Sequence, residues 1–518
     1  MSLLKSTAIV SLFTFFSRVS GFIRDIFMAV FFGASAWVDA FLVVFKIPNF
    51  MRRLFAEGSF ALAFVPVLNE IKANQSKQDL KFFIDKVAGS LFAIVLIVWM
   101  LMEIFAPQVL SIFANSWAQE KPEIYNGSVD MLRMTLFYFP LITLVSLAGG
   151  ILNTHKKFAI PAATPILLNV SLIASMLYLR DCFDIPVKSL AVGVLIAGVL
   201  QLLVQIPSLV KLGLLPKFKL GFKDKKVKKV MNLMVPTLFG SSIAQINLLI
   251  DTIIATHLIT GSVAFLYYSE RLLEFPLGVF AIAISTVILP TLSRQFAKKK
   301  QNDFVKTMRW ALNLGFFIAI PAAVALAVMA NEVVVTLFQY GKFTSLNSEM
   351  TAISLVAYML ALPAFIINKI LLPAYYSRKD TKTPVKIGII AMLANIVLNF
   401  LFVGLLIHYE FIAVHVGLAL ASAVSGWMQT LLLYKGLKKQ GVIPNGVVQW
   451  TVVFKISTAS LMMAISIMFV ISQLGDWSIY AGYIRYSYLL LCILFGLLIY
   501  FGSLTILRIK FKNLMVMH

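Results

Sequence analysis

The sequence predicts an all-α polytopic membrane protein with about fourteen transmembrane helices. Three observations carry this. Of 518 residues, 60% are apolar and only 13% charged, whereas soluble domains run about 45–50% and about 25%. Mean hydropathy is +0.91. The length suits about 12–16 spans of roughly 20 residues with connections. These figures exclude an ordinary soluble enzyme, a disordered chain and a disulfide scaffold. Cys182 and Cys492 lie far apart in apolar surroundings, without ligand spacing, and read as packed thiols.

The elements follow from apolar runs bounded by charge or turn residues. Residues 3–32 read as the first span rather than a cleaved leader. Arg18, Arg24 and Asp25 interrupt them, and no small-residue cleavage site follows a short apolar core. A tight loop at 33–35 leads to the second span, 36–69, which ends at the basic segment Lys72–Lys86. Spans 86–114 and 128–153 flank Lys121, and Lys156-Lys157 precede 160–180. After Arg180 comes 187–210, which ends at a lysine-rich linker, 211–229. Spans 228–257 and 263–296 follow, then 305–330 beyond Lys298–Lys300. Lys342 separates these from 349–377, and Arg378–Lys386 lead into 384–407. The last three are 413–434, 449–474 and 484–507, followed by Arg508, Lys510 and Lys512.

Positive charge tests this division independently. With a cytoplasmic N-terminus, 31 of the 45 basic residues fall in cytoplasmic segments and five in external loops. A bias alternating loop by loop predicts that both termini are cytoplasmic. It also accounts for most of the net charge of +23 without nucleic acid. The linker 211–229 could in addition meet anionic lipid, with simple orientation the plainer role.

Nine basic residues remain inside spans: Arg18, Arg24, Lys46, Arg52, Arg53, Arg133, Arg271, Lys369 and Lys455. A central Arg or Lys costs about 2.5–3.5 kcal/mol to insert, so such residues face a protein interior or a wet cavity. Five lie in the first two helices, beside the acids Asp25, Asp39 and Glu57. The tight loop makes those helices an antiparallel pair and puts both basic groups at similar depths. Asp251, Glu270 and Glu274 lie in helices seven and eight. The acids could simply neutralise the arginines across helices. A surplus of five bases over three acids instead asks for an anion. Guanidinium forks match phosphate and carboxylate oxygens.

Asp251 has Asn247 one turn earlier, and Asn395 and Asn399 share a face of helix eleven. These oxygens make a candidate Na⁺ site or, alternatively, an interhelical hydrogen-bond cluster. No G-x-x-x-x-G-K-[ST], no H-E-x-x-H and no nucleophile–base constellation occurs, so the chain does not read as an enzyme. A loose echo links Arg53-Leu54…Glu57…Pro66 with Arg271-Leu272…Glu274…Pro290. It suggests two six-helix halves, as in transporters built from repeats.

Several stretches resemble the MurJ (MviN) family. They are Ser17-Arg18-Val19-Ser20-Gly21-Phe22-Ile23-Arg24-Asp25, Asp39-Ala40-Phe41, and Phe45-Lys46-Ile47-Pro48-Asn49 with Arg52-Arg53-Leu54-Phe55-Ala56-Glu57-Gly58. Tyr267-Tyr268-Ser269-Glu270-Arg271-Leu272-Leu273-Glu274-Phe275-Pro276 extends the likeness, as do Gln339–Thr344 and Tyr376–Pro384. It covers about residues 1–440, and the last two helices by hydropathy alone. Where the family commonly has Asp, this chain has Glu270.

The resemblance implies the multidrug/oligosaccharidyl-lipid/polysaccharide exporter fold. That fold is two six-helix lobes in a V, residues 1–210 and 230–440, joined by the linker 211–229. Residues 441–518 would add two helices and a groove for a polyprenyl tail. The implied function is flipping of lipid II by alternating access through a cationic cavity in the bacterial cytoplasmic membrane. The implied protein is a monomer among membrane lipids, with no nucleic-acid partner. Arg18, Arg24, Arg52 and Arg271 would bind substrate, with Asp25 and Asp39 as functional acids. Arg53, Glu57 and Glu274 join this candidate set. The alternatives are another undecaprenyl-linked oligosaccharide or, further off, a cation-coupled drug exporter.

Overall fold

The computed structural model describes residues 3–53 and 59–509, which are almost wholly helical and contain no β-strand. They divide into two compact units, Met1–Val263 and Ala264–His518.

The first unit holds ten helices: α1 Leu3–Phe32, α2 Ala36–Met51, α3 Ser59–Asn74, α4 Lys77–Ile104, α5 Ala106–Glu120, α6 Pro122–Leu136, α7 Tyr138–Thr154, α8 Ala159–Tyr178, α9 Lys188–Leu212 and α10 Lys225–Thr256. Local chemistry sets their ends. Ser35 caps α2 through the Val38 N–H at 3.4 Å. At α4, Ser76 accepts from the Asp79 N–H and donates to the Asp79 carboxylate, satisfying the first turn. Gly213, at φ +70°, closes α9 in the left-handed conformation that a side chain would strain.

The expected second span, 36–69, appears as α2 and α3, with residues 54–58 outside the described set. The third begins earlier than expected, at Lys77, and ends earlier, at Ile104. Pro107 opens α5 after a break at Phe105, because proline has no N–H to continue the ladder. Cys182 is exposed beside a short turn after α8, not packed as expected, whereas Cys492 is buried.

α10 packs against α3, α5 and α2. Its first turns join the core formed by Phe64, Phe83, Val87 and Leu152 through Val227 and Val230. Lys229 pairs with Glu70 at 2.7 Å. The linker before α10 docks on α4. Lys219 N–H donates to the Asp85 carbonyl at 3.2 Å. Lys217 N–H reaches the Asp85 carboxylate at 2.7 Å, and Gly221 N–H reaches Ser90 Oγ at 2.9 Å. Gly89 makes this approach possible: a Cβ there would clash with the Lys219 backbone.

Lys86 closes the linker on Asp224 at 2.7 Å. Burial alone would raise the Asp224 carboxyl. The Lys86 hydrogen bond and charge, with the Lys226 and Val227 N–H groups, outweigh it and hold the group below the usual carboxylate range. A carboxyl depressed on folding stabilises above its unfolded pKa of about 3.9 and loses that contribution as pH falls through the folded value. Hydrogen exchange over 213–224, corrected for intrinsic rates, should therefore be flat from pH 7 to about 5. It should rise only below about pH 4. Asp224→Asn should raise it across the whole range.

The second unit holds α11 Ser262–Pro276, α12 Ile282–Ala297, α13 Gln301–Val328, α14 Ala330–Phe338, α15 Ser345–Tyr376, α16 Lys382–His408, α17 Val416–Lys439, α18 Trp450–Leu474 and α19 Gly482–Ile506. The expected span 263–296 is broken: after Pro276 the chain makes a π-helical turn, Leu277–Ala281, before α12. α15 packs against α13 and α17, and the α18–α19 hairpin lies on α13. Tyr500 Oη donates to the Phe317 carbonyl at 2.9 Å, and Asn313 donates to Gln449 at 2.7 Å. Lys455 caps the end of α19 through the Leu507 carbonyl at 2.9 Å.

Ten helical stretches among the described residues are long and apolar enough to cross a membrane, α6 and α7 counting as one. The bent pair α11–α12 makes eleven. Length and hydropathy alone therefore do not reach the expected fourteen. α2 has only 16 residues, and α1 carries Arg18, Arg24 and Asp25. Large apolar side chains point outward from many spans, such as Phe400, Phe454 and Leu498 at 65%, 74% and 67% exposure. Water would penalise such a surface; lipid does not.

Candidate functional site

In the first unit the most buried basic side chain among the described residues is Arg24, 8% exposed, beside fully buried Asp25. Its Nε and Nη2 donate to Asp25 Oδ1 at 2.9 and 2.6 Å, and its Nη1 donates to Asn169 Oδ1 at 3.1 Å. The Asn169 amide in turn donates to the Ser17 carbonyl and to Ser20 Oγ, each at 3.0 Å. α8 thus supplies a bracket that fixes the guanidinium on α1. The pairing is between chain neighbours, not between helices as the neutralising alternative expected. Successive positions on a helix do not face each other, but a long Arg side chain can fold back onto the carboxylate of the next residue.

Two other basic groups of the first two helices, Lys46 and Arg53, reach α10. Lys46 Nζ donates to Thr252 Oγ1 at 2.7 Å and Arg53 Nη1 to Gln245 Oε1 at 2.7 Å. Arg52 Nε donates to Asn49 Oδ1 at 3.2 Å. Arg18 and Arg53 are exposed. Among the described residues no acid lies within ion-pair distance of either. Glu57 lies outside the described residues.

Asp39 is placed differently from these. It sits in the first turn of α2, 4% exposed. Its Oδ2 accepts the Gly261 N–H at 2.6 Å. Trp117 Nε1 donates to the Thr256 carbonyl at 3.0 Å and Lys121 Nζ to Thr260 Oγ1 at 2.9 Å. Asp39 thus fastens the turn after α10 to α2, and Trp117 and Lys121 fasten it to the end of α5, around a small cavity lined also by Ala36 and Ile124. Asp251 lies on α10, so it belongs to the first unit and not to the second, where the cation reading put it.

In the second unit Arg271 donates to Glu274 at 2.7 Å and to Tyr267 Oη at 3.0 Å, with its guanidinium 5.3 Å from the Tyr267 ring. Both charged side chains of this i,i+3 pair are partly exposed, at 30% and 49%. Asn395 and Asn399 are buried. Asn399 donates to Asn395 Oδ1, and Asn395 donates to Ser425 Oγ on α17, both at 3.2 Å. That is the geometry of a hydrogen-bond cluster between α16 and α17. Among the described residues no three His, Cys, Asp or Glu side chains gather as a metal site.

The sequence does not single out Asn169, Gln245 and Thr252 as partners of Arg24, Arg53 and Lys46. The available signal is a polar residue within an apolar helix, and it names a position without naming its partner. Together the first-unit groups offer the held Arg24 guanidinium, the exposed ones of Arg18 and Arg53, the half-buried one of Arg52, and Lys46. This donor set suits phosphate oxygens.

Two helical units with outward apolar surfaces and guanidinium groups held inside spans define a multi-pass α-helical membrane protein. A family model described as lipid II flippase MurJ matches residues 28–488. The chain belongs to the MurJ family, a family of flippases and not of catalytic enzymes.

A protein of Haemophilus influenzae named a probable lipid II flippase MurJ is 39% identical, over 97% of this chain and 99% of its own. A Burkholderia cenocepacia protein named lipid II flippase MurJ is 37% identical over 85% of each. A solved structure described as lipid II flippase MurJ in an inward closed conformation superposes with a TM-score of 0.78 at 28% identity. It covers 96% of this chain and 98% of its own. An inward-facing multidrug resistance transporter of the MATE family and MOP superfamily shares the fold, with a TM-score of 0.66 at 14% identity. It covers 82% of this chain and 95% of its own. The family match thus runs past residue 440, into α19, farther than the sequence motifs reach.

Proposed function

We propose that this protein carries lipid II from the cytoplasmic to the periplasmic leaflet of a bacterial inner membrane. It does so by alternating access along a cationic path, as a monomer with both termini cytoplasmic. The observation that carries this reading is the fixed Arg24 guanidinium among further basic groups on the first two helices. A pyrophosphate bearing a sugar is the anion such a set would hold. Family membership and the alternating basic loops support the substrate and the orientation.

In this reading Arg18 and Arg53 meet the diphosphate, since both are exposed and have no acid partner among the described residues. Asp39 fastens the α10–α11 turn in one state and releases it in the other, a population shift that bound substrate biases. No nucleotide-binding loop stands in the sequence, so the drive is an ion or potential gradient, or consumption of the product.

The test is a proteoliposome assay. Lipid II is placed in the inner leaflet, and its arrival outside is read by an impermeant hydrolase that cleaves the exposed pyrophosphate link. The intact protein should deliver lipid II. Arg18→Ala and Arg53→Ala should each slow delivery about tenfold or more, since one charge-assisted hydrogen bond is worth about 1.5–3 kcal/mol. Their melting temperatures should stay unchanged. A protein that ignores lipid II but moves another undecaprenyl-linked oligosaccharide would overturn the substrate assignment.

A further inference from the structure

The linker between α9 and α10 is built with more care than a connection needs. Its backbone is anchored at alternate residues: the N–H groups of Lys217, Lys219 and Gly221 all donate to α4. The intervening side chains are large and apolar, yet they face outward. Phe218 is 56% exposed, Leu220 69% and Phe222 44%. Lys217, Lys219 and Lys223 stand between them, also exposed. Phe218 touches α4 at one edge, its ring 4.9 Å from that of Phe92. Phe82 on α4 continues the apolar surface at 47% exposure. The ammonium groups of Lys86 and Lys219 lie 4.1 and 5.4 Å from its ring.

Topological lysines need neither a fixed backbone nor interleaved aromatics. Ordering an extended segment costs conformational entropy, and holding bulky apolar groups toward water adds to that. Both costs are offset if the surface faces the bilayer boundary. The ribbon sits where α4 turns from charged to apolar: Lys77, Lys81, Asp85 and Lys86 lie on one side, and Val87, Leu91, Phe92 and Val95 follow. Lysine stems can run along acyl chains while their ammonium groups reach phosphates. A basic and apolar surface at that depth has the chemistry of an anionic headgroup site.

We propose that the 211–229 ribbon is an interfacial docking site for anionic phospholipid. Phe218, Leu220 and Phe222 enter the acyl boundary, and Lys217, Lys219 and Lys223 hold the phosphates. This site is separate from the arginines of α1 and α2 and does not depend on what the protein transports.

The test places a nitroxide at residue 220 by Leu220→Cys, in full-length protein carrying Cys182→Ser and Cys492→Ser. The protein is reconstituted into vesicles of phosphatidylcholine alone or with 30% phosphatidylglycerol. Collisions with oxygen and with a water-soluble nickel complex report depth. With phosphatidylglycerol the label should lie about 5–10 Å below the phosphates, and in phosphatidylcholine it should stay near water. Replacing Lys217, Lys219 and Lys223 together with Gln should abolish the difference. Exchange protection of the Lys217, Lys219 and Gly221 amides should persist in that variant, showing that the ribbon is still docked. A label equally wet in both vesicles would overturn the proposal and leave the surface to a soluble partner. Equal immersion in both would overturn it too, because anionic lipid would then play no part.

Discussion

Arg24→Ala should abolish lipid II transport and also lower the melting temperature, and a second substitution should separate the two losses. Asp25 is fully buried and takes two hydrogen bonds from Arg24. Removing the guanidinium leaves a buried carboxylate without its counter-charge, and breaking a buried pair in this way costs about 3–5 kcal/mol. Arg24→Ala/Asp25→Asn removes both charges. Its melting temperature should return most of the way to that of the unaltered protein, while transport and complementation of a flippase-depleted strain stay lost. Arg24→Lys should fail as well. An ammonium cannot span Asp25 and Asn169 as the fork does, and it offers phosphate a single point of charge. If the double variant flips lipid II at the normal rate, Arg24 serves folding only and the site must be sought elsewhere.

The need for that double variant shows what one-dimensional reading could and could not reach. Hydropathy and the alternation of basic loops place the helices, because a bilayer acts on each span separately. Helix breaks were harder to foresee. Pro107 ends α4 with a clean stop, yet Pro66, Pro165 and Pro207 sit inside continuous helices. A proline breaks a helix only where no neighbour satisfies the freed carbonyl.

The site's basic residues were visible because charge inside an apolar run is rare. Their partners were not. Arg24 chose its own neighbour, and Asp39 chose a backbone N–H some 222 residues away. Asn395 and Asn399 chose each other and Ser425. Such choices depend on which helices meet, a property of packing that spacing along the chain does not encode. Sequence gave α10 to the second half because it follows the linker. Contacts join it to the first, through Val227, Val230 and Lys229 on α3 and α4.

Arg485 makes the same point and carries the largest expected effect on stability. At the edge of the expected span 484–507 it counts among the five external basic residues; in the structure it is 8% exposed on the first turn of α19. Its Nε donates to the Tyr480 carbonyl at 2.8 Å and its Nη2 to that of Ser478 at 2.6 Å. Nη1 reaches the Val335 and Gln339 carbonyls at 3.4 and 3.1 Å, at the end of α14. The guanidinium also lies 5.2 Å from the Tyr340 ring. No carboxylate is among these partners; carbonyl dipoles, including those ending a helix, hold the charge. One side chain thus ties the α18–α19 turn to α14.

Arg485→Ala would take a donor from four carbonyls; that of Val335 keeps the Gln339 N–H, and two of the other three left dry would cost about 2–6 kcal/mol together. Arg485→Lys should recover only part, because one ammonium cannot follow a fan of four acceptors. The expected result is a large fall in melting temperature for the Ala variant and an intermediate one for Lys. Hydrogen exchange should rise over 477–488 and 333–340 together, while that of α1 and α8 stays unchanged. A normal melting temperature in Arg485→Ala would mean that water replaces the guanidinium without loss, and that the hairpin is held by Tyr500, Asn313 and Lys455 alone.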